Sequence, residues 1–151
     1  MDNSLELTEI DIGTLTALMD AIIPADYFPS ASGAGVLNYM QRILATDMKT
    51  SKDWYITGLS LLNSEAQTRC NCSFAHLTCQ QRCDVVAALE KGITEFEWSI
   101  SPAEFVRISV NLVSEGYYAD PGNGGNTDAV SWKMIGFEVI EGIRLPVESL
   151  Q

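Results

Sequence analysis

The sequence predicts an all-α fold, a single compact domain of about five helices over residues 1–151 with an irregular, Gly- and Asn-rich C-terminal third. Three observations lead there. Apolar residues recur three and four apart along most of the chain, the spacing that lines one face of a helix. Period-two alternation, the mark of a half-buried strand, is scarce, with a weak hint only at Phe137-Glu138-Val139-Ile140-Glu141. A chain of 151 residues, 46% hydrophobic and 19% charged, is also one domain long. At that length it can bury roughly two-thirds of its unfolded surface without disulfides or metal.

Each helix has its own signal. Leu15, Leu18, Met19 and Ile22 share a face, predicting a first helix from about Thr8 to Ile23. Pro24 ends it, because the residue before a proline is pushed out of the helical region. Pro29 and Ser30-Ala31-Ser32-Gly33 form a connecting loop. Val36, Leu37, Met40, Ile43 and Leu44 mark the second helix, and Trp54, Tyr55, Leu59 and Leu62 a third over about Ser51 to Thr68. Thr78 and Gln81 have capping-box spacing and open a fourth helix that turns Val85, Val86 and Leu89 inward and stops at Gly92. Ser101-Pro102-Ala103-Glu104 combines a capping serine, a proline suited to the first helical position and a glutamate able to close the box. That fifth helix continues through Phe105, Ile108 and Leu112 to Gly116. The aromatic pairs at Trp54-Tyr55 and Phe96-Glu97-Trp98 read as core or interface packing.

Nine basic and twenty acidic side chains give a net charge of −11, and no Lys or Arg precedes Arg42. Nucleic-acid affinity rests on basic residues displacing counterions, so nucleic acid is excluded as a partner. No stretch reaches the roughly 20 apolar residues of a spanning helix, so the chain is not expected to cross a membrane. The N-terminus has neither the basic start nor the apolar run of a secretory signal.

Catalytic patterns are poor. The one histidine, His76, would have to serve any nucleophile–base arrangement, and no Gly-x-Ser-x-Gly elbow occurs. No catalytic residue is assigned. Cys70, Cys72, His76, Cys79 and Cys83 crowd into fourteen positions, and thiolate and imidazole are ligands of zinc and iron–sulfur clusters. Their spacing lacks a Cys-x-x-Cys pair, so free or bridged thiols are the competing reading.

The densest polar constellation is Tyr117-Tyr118-Ala119-Asp120-Pro121-Gly122-Asn123-Gly124-Gly125-Asn126-Thr127-Asp128. Its glycines and asparagines tolerate left-handed backbone angles, so the loop is shaped by its main chain. The glycine pattern is neither a P-loop nor a dinucleotide fingerprint, and the oxygens miss calcium-loop spacing. Two readings remain: a protein-docking surface that includes Trp132, or an ordered loop packed back on its own helices.

These motifs also resemble a family. Ala21-Ile22-Ile23-Pro24-Ala25-Asp26, Ala34-Gly35-Val36, Gly58-Leu59, Gln80-Gln81 and Leu89-Glu90 resemble the small third subunit of gluconate 2-dehydrogenase. Gly116-Tyr117-Tyr118-Ala119-Asp120-Pro121, then Gly124-Gly125-Asn126, Asp128 and Trp132-Lys133-Met134-Ile135-Gly136-Phe137 match its closing signature almost residue for residue. The resemblance implies an accessory subunit, without cofactor or catalytic residues of its own, that binds a large flavoprotein. That partner would be of the glucose–methanol–choline type, would hold FAD, and would oxidise a sugar, sugar acid or glycoside. A cytochrome c subunit often accompanies it. On this reading the interface comprises Tyr117, Tyr118, Asp120, Asn123, Gly124, Gly125, Asn126, Asp128, Trp132, Lys133 and Phe137. The alternative within the same complex is a metal or redox module built on the cysteine cluster. Family members commonly carry a twin-arginine export signal, which favours the periplasm; this chain has none, leaving a cleaved signal, a partner's signal or a cytoplasmic complex.

Overall fold

A computed structural model describes residues 6–119, 121–135, 137–140 and 143–146, with only the backbone described for Asn123 and the last two segments. The fold is all-α in its body. Five principal helices appear where the apolar spacing places them: α1 (Glu9–Ile22), α2 (Val36–Ala45), α3 (Lys52–Cys70), α4 (Cys79–Glu90) and α5 (Pro102–Tyr118). A sixth, short helix α6 (Val130–Ile135) follows, one the apolar spacing does not announce. The faint alternation near residue 137 is real: β1 (Phe137–Ile140) pairs antiparallel with β2 (Ile143–Pro146), Phe137 opposite Pro146 and Ile140 opposite Ile143.

The helix starts follow capping chemistry. The Thr78 hydroxyl accepts from Gln81 N at 3.1 Å, and the Gln81 side chain accepts from Thr78 N at 2.9 Å. Thr8 and Asp11 close a second box at the start of α1 in the same way. Ser101 accepts from Glu104 N at 3.1 Å, but the Glu104 carboxylate lies 3.7 Å from Arg107 and closes no box with Ser101. An exposed neighbour of opposite charge on the next turn competes with the cap.

α1 is the axis of the domain and packs against α2, α3, α4 and α5. Its Leu15, Leu18 and Met19 are wholly buried beside Met40, Leu44, Leu59, Leu62, Phe74 and Leu89. Each such side chain contributes roughly 1.5–3 kcal/mol by leaving water. Phe105 of α5 collects the aromatics: ring centroids of Tyr55, Trp98 and Trp54 lie 5.1, 5.9 and 6.2 Å away. Gly58 makes this approach possible, since a β-carbon there would overlap the Phe105 ring. Burial raises the Tyr55 phenol, and it stays protonated against the Ser109 hydroxyl at 2.8 Å. The Trp54-Tyr55 and Trp98 aromatics are thus core, whereas Phe96 faces outward.

One buried charge organises the α4–α5 connection. Glu65 of α3 is fully inaccessible, and its carboxylate accepts from Glu95 N (2.7 Å), Phe96 N (2.9 Å), Trp98 Nε1 (3.1 Å) and Arg69 Nε (2.8 Å). Arg69 also donates to Ile93 O at 3.2 Å. Burial alone would raise the Glu65 carboxyl. The Glu95 amide, Arg69, the Phe96 amide and Trp98 together outweigh it, and the carboxyl lies below its ordinary value of 4.5.

A group depressed in the folded state supports folding above its unfolded pKa and stops doing so as acid protonates it. Urea-unfolding midpoints of the wild type should therefore fall as pH drops below about 4.5. Glu65→Ala, which strands the donors and the Arg69 charge, should lose about 3–5 kcal/mol at neutral pH and flatten that acid limb. An unchanged midpoint for the variant would remove Glu65 from the account.

Candidate functional site

Two loops meet at the C-terminal end of α5. The opening loop, residues 24–35, begins where Pro24 stops α1. Asp20 of α1 holds its far side, accepting from Ser32 N at 2.8 Å and from the Ser32 hydroxyl at 2.7 Å. At the tip, Asp26 Oδ1 accepts from Phe28 N at 2.9 Å, a side-chain-closed turn. Ala31 and Ala34 are buried inside this frame, while Tyr27 is fully exposed and Phe28 partly so.

The closing loop, residues 119–129, lies against the opening loop and α2 by backbone contact. A β-carbon on Gly125 would overlap the carbonyl of Gly116, and one on Gly116 would press into the Tyr39 ring. Gly35, at φ +77°, leaves room for Thr127, whose amide donates to Ala34 O at 2.8 Å. Glycine is required at these positions by close approach, and at Gly35 by angle as well.

The last carbonyls of a helix have no partner within it. Here the closing segment supplies them. Asn126, fully buried, donates Nδ2 to Ala119 O at 2.7 Å, and its Oδ1 accepts from Ser131 N at 2.8 Å and the Ser131 hydroxyl at 2.6 Å. Trp132 donates Nε1 to Tyr118 O at 3.0 Å. Tyr117 reaches across to the other loop and donates to Pro29 O at 2.9 Å. Burial raises the Tyr117 phenol, with the Tyr118 and Asp26 charges adding to it, so it remains a donor. The turn is strained: Asn126, Asp128 and Ala129 have φ of 51°, 57° and 56°. Such angles cost a non-glycine residue roughly 1–2 kcal/mol, and Asn and Asp tolerate them best.

The interface set from the sequence divides accordingly. Tyr117, Gly125, Asn126 and Trp132 are buried within this chain's own fold, and Gly124 is half-buried against the α2 backbone at Asn38 and Tyr39. Tyr118, Asp128 and Lys133 are exposed. Asp120 and the side chains of Asn123 and Phe137 lie outside the described residues. Sequence reasoning left out Tyr27 and Phe28, which Pro24 and Pro29 bracket in a loop too short to bury them. Tyr118 at the end of α5 and Ile135 at the end of α6 are exposed apolar side chains as well.

Beside them is an open cleft of about 380 Å³ lined by Tyr39, Arg42, Ile43, Thr46 and Asp47. Arg42 donates to Gly122 O at 3.4 Å, tying α2 to the closing loop. The Tyr39 hydroxyl donates to Glu115 at 3.1 Å, and burial together with the Glu115 and Asp47 charges raises it, so it is a donor and no base. This end is built for shape recognition.

The cysteine cluster does not converge. Cys70 and Cys72 are half-buried near the end of α3, Cys79 and Cys83 are exposed one turn apart on α4, and all four are free. His76 Nδ1 lies 2.6 Å from the Ser73 hydroxyl within one exposed turn. Among the described residues, no group of three or more His, Cys, Asp or Glu could hold a metal ion. The i, i+4 spacing puts Cys79 and Cys83 on one face of α4, and both are exposed.

The family model described as gluconate 2-dehydrogenase subunit 3 matches residues 10–138, taking in both loops and all six helices. The chain belongs to this family. No curated protein and no solved structure matches it significantly. No helix among the described residues is long and apolar enough to cross a membrane.

The loop seat is testable by substitution. Gly125→Ala must displace the Gly116 carbonyl and should lose about 2–4 kcal/mol of stability. Asn126→Ala, leaving buried polar groups unpaired, should lose about 2–4 kcal/mol. Chemical denaturation measures both. Losses below about 0.5 kcal/mol, typical of exposed positions, would mean the loop is not seated as described.

Proposed function

We propose that this chain is a non-catalytic small subunit that binds and stabilises a large FAD-dependent dehydrogenase subunit of the glucose–methanol–choline type. That partner oxidises a sugar, sugar acid or glycoside and carries the FAD, and a cytochrome c subunit takes the electrons. Family membership supports the class of complex. The observation that carries the docking role is the fully exposed Tyr27, next to Phe28, on a loop tied by hydrogen bonds from the Asp26 turn and from Tyr117 to Pro29 O. Tyrosine on a rigid support loses little conformational freedom on binding, which is why such residues dominate interfaces. Asn126 and Trp132 serve this surface indirectly by holding its shape. Export of the folded complex, common in the family, supports a periplasmic location.

Affinity purification of the tagged chain from its native host should recover a much larger flavoprotein in stoichiometric amount. Flavin absorbance should belong to the complex and not to the isolated chain. Tyr27→Ser combined with Phe28→Ser should reduce that recovery at least about tenfold, the effect of losing a hot spot, while the melting temperature stays near wild type. Recovery of the wild type as a lone, stable monomer would overturn the reading. Undiminished recovery with the double variant would remove the paired loops from it.

A further inference from the structure

The end of the molecule away from the paired loops also presents apolar side chains on a fixed backbone. We infer that the α4–α5 loop, residues 91–101, is a second docking surface for the same large dehydrogenase subunit, and that the surface it meets there is basic. The inference rests on the reading above for the identity of the partner and on separate residues for the contact.

Rigidity is the first reason. A loop that merely joins two helices needs no buried charge, yet Glu65 devotes a fully buried carboxylate to Glu95 N, Phe96 N and Trp98 Nε1. Ile93 N donates to Ala88 O at 2.9 Å and Gly92 N to Leu89 O at 2.9 Å, so the exit from α4 is fixed as well. On this frame Ile93 is 57% exposed and Phe96 38%. The exposed part of each gains nothing from this chain's own core. A partner that covered them would gain by removing that apolar area from water.

Charge fixes the chemistry of the occupant. Glu90, Glu95, Glu97 and Glu104 are exposed around the loop, against Lys91 and an Arg107 that lies 3.7 Å from Glu104. Glu90, Ala103, Glu104 and Arg107 line an open cleft of about 390 Å³ between the end of α4 and the first turns of α5. The rim is net acidic on a chain whose net charge is −11. An apolar partner surface ringed by Lys or Arg complements it, and one ringed by Asp or Glu would be repelled. The 17 residues of α5 separate this surface from the paired loops by about 25 Å. A partner much larger than 16.5 kDa can span that distance and grip both ends.

The test is the affinity of the purified chain for its purified large subunit, measured from about 0.05 to about 0.5 M salt. Wild-type binding should weaken as salt rises. Ile93→Ser with Phe96→Ser should weaken it at least about tenfold, with the melting temperature held. Glu90→Gln, Glu95→Gln and Glu97→Gln together should weaken it at low salt and flatten the salt dependence, leaving the Glu65 contacts to the backbone in place. Wild-type binding with both variants unchanged overturns this second surface and leaves the subunit reading standing. Tighter binding of the glutamine variant overturns the basic occupant. No wild-type binding at all overturns both.

Discussion

The seating of Gly125 on the Gly116 carbonyl, closed over by the buried Asn126 side chain, is the contact on which the exposed end of this molecule depends. A helix that ends leaves carbonyls without partners, and α5 ends where two loops must also be held. The closing segment resolves both demands at once. Asn126 and Trp132 satisfy Ala119 O and Tyr118 O, and Thr127 joins the opening loop through Ala34 O. Since Tyr117 then reaches Pro29 O, the opening loop's position follows from the closing loop's. Tyr27 stands fully exposed at the tip of that loop.

A second buried polar centre governs the opposite end in the same manner. Glu65 does for the α4–α5 loop what Asn126 does for the closing loop: one inaccessible side chain orders backbone that would otherwise be free to sample many conformations. Such ordering opposes roughly 1–2 kcal/mol of chain entropy per residue. In both places the result is a surface loop with fixed shape and outward apolar side chains. The domain between them is an ordinary helical core centred on α1.

The five long helices were legible because each combines an apolar stripe with a start or stop signal, as Thr78 with Gln81 does for α4. The Pro24 stop, the Gly92 exit and the Ser101 start were legible for the same local reason. Side-chain roles that depend on long-range partners were not. Asn126 and Trp132 look like contact residues in a polar loop, and only their partners at Ala119, Ser131 and Tyr118 show that they face inward. Glu65 was overlooked because a glutamate four residues before an arginine on a helix usually marks a solvated pair. Tyr27 and Phe28 escape sequence reasoning because the four residues between Pro24 and Pro29 show no periodicity to interpret. α6 is too short for its pattern to separate from a turn.

What this molecule offers chemically is a pair of rigid, aromatic-bearing ends on a helical spacer; under the proposed function the oxidation belongs to a neighbour. Amide hydrogen exchange of the chain, free and bound to its large dehydrogenase subunit, tests that claim most directly. The account predicts that exchange at residues 25–28 slows markedly on complex formation, with the α1 core equally slow in both states. Exchange at residues 25–28 that is identical in the free and bound chains would contradict it.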